Sequence, residues 1–227
     1  MNREKRVVVI NASPKTAGQS ASGYLASYAW DLLSGDSLEV KVFSVRESIK
    51  NKQTAEVFKY MTGADALIII FPLYVFCLPG ILMRFLQDYH NHVGSCPDRD
   101  KKVIIYAVVN CGFPEPGINT EAVRVIGSFS EKIGVEFRFG VMIGGGGMLI
   151  GAQGSPMLKK TMSDIEGAFA RMKEEIVSGR RGPVENIETS VRFPRMLYRF
   201  MGDKQWISSA RKNGLKKKDL YARPYAR

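Results

Sequence analysis

The polar residues best placed for chemistry lie in one stretch, Asn11-Ala12-Ser13-Pro14-Lys15-Thr16-Ala17-Gly18-Gln19-Ser20-Ala21-Ser22. Four hydroxyl side chains and one ammonium crowd into these twelve positions. An apolar run, Val7-Val8-Val9-Ile10, leads in, and a helical pattern from Tyr24 to Leu33 leads out. A loop between a strand and a helix N-terminus binds phosphate well, because the first N–H groups of the helix lack intrahelical acceptors and the helix dipole adds positive charge there. Ser13, Thr16, Ser20 and Ser22 add donors, Lys15 adds formal charge, and Gly18 lets the backbone turn. A single capping serine is the plainer reading of the same letters.

Two further loops carry chemical character. Phe71-Pro72-Leu73-Tyr74-Val75-Phe76-Cys77-Leu78-Pro79-Gly80 is aromatic and apolar, and suits a flat heteroaromatic ring or ordinary packing beneath a loop. Asn110-Cys111-Gly112-Phe113-Pro114-Glu115-Pro116-Gly117 has two glycines and two prolines, giving a fixed, open backbone or a plain turn. The run Gly144-Gly145-Gly146-Gly147 either leaves space near a ligand or is a flexible turn. His90 and His92 are two apart, which does not put both on one helical face, and no third metal ligand accompanies them. No metal site is expected. The chain has neither a G-x-G-x-x-G fingerprint nor a Walker motif.

The elements that must position these loops alternate in kind. Strands are expected over Arg6–Ile10, Leu38–Phe43, Ala66–Phe71, Lys102–Val109 and Val135–Ile143. Helices are expected over Gln19–Leu33, Gln53–Met61, Pro79–Tyr89, Asn119–Ile133 and Pro156–Val177. The first and third strands have consecutive apolar residues, as parallel strands covered on both faces do. The expected fold is therefore α/β, a doubly wound five-stranded parallel sheet of order 2-1-3-4-5. In such a sheet the ligand sits beyond the carboxyl ends of the strands, at the switch in strand order between the first and third. The Ser-rich loop and the aromatic loop both fall there.

Together, Ala12-Ser13-Pro14-Lys15, Gly18 and Ser20-Ala21-Ser22, then Ala64-Asp65-Ala66, Phe71-Pro72-Leu73-Tyr74, Leu78-Pro79-Gly80 and Arg84-Phe85-Leu86 resemble the flavodoxin-like NAD(P)H-dependent FMN reductases. Asn110-Cys111-Gly112-Phe113-Pro114-Glu115 resembles their third flavin loop, and the likeness covers about residues 5–178. It implies non-covalent FMN. Ser13, Lys15, Ser20, Ala21 and Ser22 would lie about the phosphate. Pro72, Leu73, Tyr74 and Val75 would border the ring, and Asn110, Cys111, Gly112 and Phe113 would close its other edge. NADPH or NADH would visit as a transient co-substrate, and electrons would pass by a ping-pong exchange to a small acceptor such as a quinone or free flavin. No catalytic acid or base is assigned. Tyr74 is the nearest by position, and ring packing is its preferred role. A homodimer is the implied assembly, and a flavodoxin-like electron carrier between proteins is the alternative function.

Composition sets the remaining bounds. The 227 residues are 45% hydrophobic and 24% charged, ordinary for a domain with a real core. Cys77, Cys96 and Cys111 show no close pairing, and the start runs directly into a strand, so a reducing cytoplasm is expected. Cys77 and Cys111 are 34 positions apart, too dispersed for an iron–sulfur cluster. Ala66 to Met83 is uncharged, but Pro72, Pro79 and Gly80 interrupt it, so it reads as strand, loop and helix.

The net charge of +11 is uneven: residues 179–227 carry 13 Lys and Arg against 4 Asp and Glu, while the first 178 carry 20 against 18. The expected division is a flavodoxin-like domain over 1–178 and a basic, partly helical extension over 179–227. In that extension Met196, Leu197, Phe200, Trp206 and Ile207 are expected to pack on the body or on a second subunit. This wrap is preferred to contact with nucleic acid or a membrane, because so much exposed apolar surface is costly.

Overall fold

The computed structural model describes residues 4–16, 18–35, 37–96, 103–179 and 181–223. Its strands are β1 (Lys5–Asn11), β2 (Leu38–Ser44), β3 (Ala66–Pro72), β4 (Ile104–Asn110), β5 (Glu136–Gly144) and β6 (Ile187–Ser190). Its helices are α1 (Ala21–Leu33), α2 (Val45–Lys50), α3 (Thr54–Thr62), α4 (Gly80–Gly94), α5 (Thr120–Lys132), α6 (Met148–Gly151), α7 (Lys159–Ser178) and α8 (Arg195–Lys212). Lys102, the expected start of the fourth strand, lies outside the described residues.

The sheet corrects the expected strand count. It has six strands, in the order β2-β1-β3-β4-β5-β6, and every adjacent pair is parallel. The first five follow the expected order. The sixth pairs Ile187 with Val141 and Ser190 with Gly144. Its sequence, Ile-Glu-Thr-Ser, is short and mostly polar, so it shows no apolar run. It is a strand because β5 offers it an open edge.

Period-two alternation divides the core. Leu67, Ile69 and Phe71 of β3 join Ile105, Ala107 and Val109 of β4 in one cluster, with Leu82, Phe85 and Tyr89 of α4. Ala66, Ile68 and Ile70 face the other way, into a cluster with Leu25 and Leu33 of α1 and Phe169 and Met172 of α7. Burial on both faces is what an uninterrupted Leu-Ile-Ile-Ile-Phe run requires. Tyr106 adds a polar anchor on the α7 side, where its hydroxyl donates to Glu175 Oε2 at 3.0 Å. Arg138 grips the same carboxylate with two nitrogens, at 3.0 and 2.9 Å. Burial opposes the charge on Glu175, but Arg138, Tyr106 and Arg171 outweigh it and hold the carboxyl below its usual range.

Two short helices escape sequence patterning. α2 begins where the Ser44 hydroxyl accepts the Glu47 N–H at 3.3 Å, and it is only six residues long. α6 has four residues and directly follows the glycine run. The chain forms two compact units, Met1–Val191 and Arg192–Arg227. The second contains α8 and a 3-10 helix, Lys217–Tyr221, whose Asp219 carboxylate accepts the Lys216 N–H at 2.7 Å. No described helix is long and apolar enough to cross a membrane.

Candidate flavin site

The first loop is shaped by its own side chains. Asn11 Oδ1 accepts the Ser13 N–H at 3.1 Å, and Ser13 Oγ accepts the Lys15 N–H at 3.2 Å. Gly18 takes a φ of 83°, and Ser20 then caps α1 by accepting the Gly23 N–H at 3.1 Å. The helix therefore opens with the N–H groups of Ala21 and Ser22 pointing outward and no acidic residue in its first turn. Such an end attracts an anion.

The second loop is a tight hairpin turn. Tyr74 and Cys77 exchange both backbone hydrogen bonds, at 2.9 and 3.0 Å. Between them Val75 and Phe76 adopt φ values of 50° and 59°, which side chains other than Gly, Asn and Asp rarely take. The turn holds both side chains outward, and Val75 is 94% exposed. The Phe76 ring stacks on Phe113 of the third loop, with centroids 6.3 Å apart and planes 13° from parallel.

Asn110 ties the loops into one frame. It is buried at the end of β4, and its side-chain NH2 donates to Ser22 Oγ at 2.8 Å and to the Phe71 carbonyl at 3.2 Å. Its own carbonyl accepts the Leu73 N–H at 2.8 Å. One residue thus joins α1, the end of β3 and the end of β4.

The glycine run is the fourth part of this frame. The Gly145 and Gly146 N–H groups donate to the carbonyls of Phe113 and Cys111, both at 2.7 Å. A Cβ on Gly144 would lie 2.4 Å from the Pro114 oxygen, and one on Gly146 would lie 2.9 Å from Asn110 Cβ. These two glycines are needed for close packing, whereas a Cβ on Gly147 would meet nothing within 4 Å. The sequence left open a choice between space and flexibility. The run is instead bolted to the third loop, and only its last member faces open space.

All the expected site residues except Val75 and Phe113 line one cleft of about 230 Å³. Val75 stands at the tip of the hairpin turn, and Phe113 belongs to the aromatic pair. Gly147 also lines the cleft, in keeping with the reading in which the glycine run leaves space near a ligand, and Gln19 and Ile150 line it without having been expected. The signal for Ile150 was the apolar Met148-Leu149-Ile150 directly after the glycine run. The lining carries one cation, Lys15, and no carboxylate. One end offers hydroxyls, helix N–H groups and an ammonium; the other offers Pro72, Leu73 and Tyr74. This donor set fits a phosphate monoester joined to a flat ring, and so fits FMN.

Cys111 is buried against this frame. Its thiol lies 3.4 Å from the Phe113 carbonyl and accepts from Asn119 Nδ2 at 3.5 Å. Burial pushes the thiol upward, and the hydrogen bonds only partly oppose this, so Cys111 stays protonated at neutral pH. It acts as a packing group. His92 packs its ring against Phe58 and Tyr89, and among the described residues no three His, Cys, Asp or Glu side chains gather as metal ligands.

Residues 5–112 match the family model described as NADPH-dependent FMN reductase. The match covers just under half of the 227-residue chain. The matched stretch runs from β1 to Gly112 and takes in the first two loops and the opening of the third.

Solved structures share the fold. An NADH:FMN oxidoreductase in its apo form superposes with a TM-score of 0.55 at 16% identity, covering 74% of this chain and 88% of that one. An FMN-dependent NADH-azoreductase from Bacillus anthracis str. Ames Ancestor, in complex with FMN, gives 0.53 at 14% identity and covers 74% and 99%. An NAD(P)H:quinone oxidoreductase from Methanothermobacter marburgensis gives 0.53 at 16% identity and covers 75% and 95%. At these identities the likeness is one of fold. A comparison with curated proteins finds no match.

Proposed function

We propose that the protein is an FMN-dependent NAD(P)H oxidoreductase that passes electrons by a ping-pong exchange to a small acceptor, a quinone or free flavin. The observation that carries this reading is the cleft: a donor-rich, carboxylate-free phosphate end opposite an apolar edge, at the switch point of a parallel sheet. Bound FMN supplies the hydride and electron chemistry. The chain binds, orients and excludes water.

The N–H groups of Ala21 and Ser22, the hydroxyls of Ser13 and Ser20, and the Lys15 ammonium hold the phosphate. Asn110 fixes Ser22 from behind. Pro72, Leu73 and Tyr74 border the ring, and Cys111 and Gly112 line its far edge. Gly147 keeps space open for the nicotinamide and then the acceptor, in turn. Exposed Tyr74, Val75, Phe76 and Phe113 form an apolar rim that supports a homodimer in which the partner copy covers this side. The three free cysteines support a reducing, cytoplasmic setting.

The test is an anaerobic visible titration of the full chain with FMN, then with NADPH and NADH. Bleaching of bound flavin by either nucleotide is the expected result. A protein that binds no FMN refutes the site. Bound flavin that stays oxidised with both nucleotides refutes the reductase reading and points to a carrier between proteins.

A further inference from the structure

The second unit holds nearly all of the protein's net charge. Residues 192–227 carry 11 Lys and Arg against 2 Asp and Glu, in 36 residues of a chain whose total is +11. The flavin cleft accounts for none of this surplus, since its one cation is Lys15.

The same unit is rich in uncovered apolar side chains. Met196 is 86% exposed and Trp206 is 70% exposed, and Phe200, Met201, Leu215 and Tyr221 are exposed with them. Among its described residues only Ala210 is buried. A cluster of this kind within 36 residues marks a contact surface. Its cations stand among the apolar groups: Lys204 Nζ lies 4.5 Å from the Phe200 ring centre, and Arg211 and Lys212 occupy the last turn of α8.

We propose that residues 192–227 are a peripheral membrane anchor that docks on an anionic lipid surface. Charge complementarity requires an anionic partner, and the apolar groups decide which one. Phe200, Trp206 and Tyr221 could stack on bases, but Met196, Met201 and Leu215 have nothing comparable to gain from nucleic acid. At a bilayer interface aliphatic side chains enter the acyl boundary, Trp sits at the headgroup level, and Lys and Arg reach the phosphates. Met196, Leu197, Phe200 and Met201 cluster in the first two turns of α8. The inference is independent of the flavin reading.

The test uses full-length protein with Trp30→Phe, which leaves Trp206 as the only tryptophan. Vesicles of phosphatidylcholine, with and without phosphatidylglycerol, are the probes. The expected result is co-sedimentation with the anionic vesicles alone and a blue shift of Trp206 emission on binding. Binding should weaken between 0.1 M and 1 M salt, where the screening length falls from about 10 Å to about 3 Å. Each basic residue near an anionic surface is worth about fivefold in partitioning, so Lys216→Glu/Lys217→Glu/Lys218→Glu should weaken binding by more than about 100-fold. Trp206→Ala, with every charge intact, should also weaken it.

Three results overturn the proposal: no preference for anionic over neutral vesicles; Trp206 emission already blue and concentration-dependent without vesicles, as burial by a second copy would give; or duplex DNA displacing the vesicles. None of these readings requires FMN.

Discussion

Asn110→Ala is the most informative single change, because its cost can be worked out bond by bond. The substitution removes an NH2 group that donates to Ser22 Oγ at 2.8 Å and to the Phe71 carbonyl at 3.2 Å. Ser22 can redirect its hydroxyl, so that bond costs about 1 kcal/mol, and the Phe71 carbonyl keeps the Asn110 backbone N–H as its β3–β4 partner, so losing its second donor costs about 1 kcal/mol more. The sum is roughly 2 kcal/mol. In a domain of this size each kcal/mol moves the melting temperature by about 2–4 °C, so a fall of roughly 4–8 °C is expected. FMN affinity should fall with it by about fivefold, since Ser22 at the phosphate end loses its support. The assays are urea unfolding of the FMN-free protein and a fluorescence titration with FMN. Asn110→Asp keeps the size but not the donor, and should lose at least as much stability at neutral pH. An Asn110→Ala protein within about 0.5 kcal/mol of the original refutes the argument that this side chain holds the loops together.

Two further substitutions probe strain and charge. Val75 is exposed and holds a φ of 50°, so Val75→Asn should stabilise the protein by about 1 kcal/mol, seen as a higher urea midpoint. An unchanged or lower midpoint would show that the hairpin turn stores no such strain. The Glu175 carboxyl is held below its usual range, so its contribution is complete above the unfolded-state value and is lost as pH falls through the folded-state value, from about pH 4.5 downward. Glu175→Gln should lower stability at neutral pH, because Arg138 loses its buried carboxylate and keeps only Glu136 as a charged partner, and should flatten the acid limb of stability against pH. A wild-type acid limb in Glu175→Gln would remove this carboxylate from the account.

The legible parts of the chain were those where one residue type repeats with a period. Leu67 to Phe71 can be placed at the centre of a parallel sheet from its letters alone, and the Ser-rich loop from its position after such a strand. What escaped notice depends on neighbours distant in sequence. Nothing in Ile187-Glu188-Thr189-Ser190 marks a strand until β5 presents its edge. Asn110 reads as a polar residue at a ligand loop, and only the fold shows that its amide is spent on Ser22 and Phe71. The four glycines look alike in sequence, yet Gly144 and Gly146 are fixed by contacts from Pro114 and Asn110, while Gly147 is not. The positive φ values of Val75 and Phe76 run against the intrinsic preferences of those residues, so no local rule could have found the turn.

The two outer strands of the sheet have a consequence for the protein's life in a crowded cell. An uncovered strand edge offers unpaired N–H and C=O groups on which another chain can grow, and the uncharged centre of this sheet would be a hazard if it lay there. It does not. The margin on one side is β2, where Glu39 and Lys41 project from the same face and pair at 3.2 Å. The margin on the other is β6, which stops after four residues and includes Glu188. A charged strand and a truncated one thus enclose the aggregation-prone interior. Replacing either with a longer apolar strand would leave the cleft untouched and expose the sheet to polymerisation.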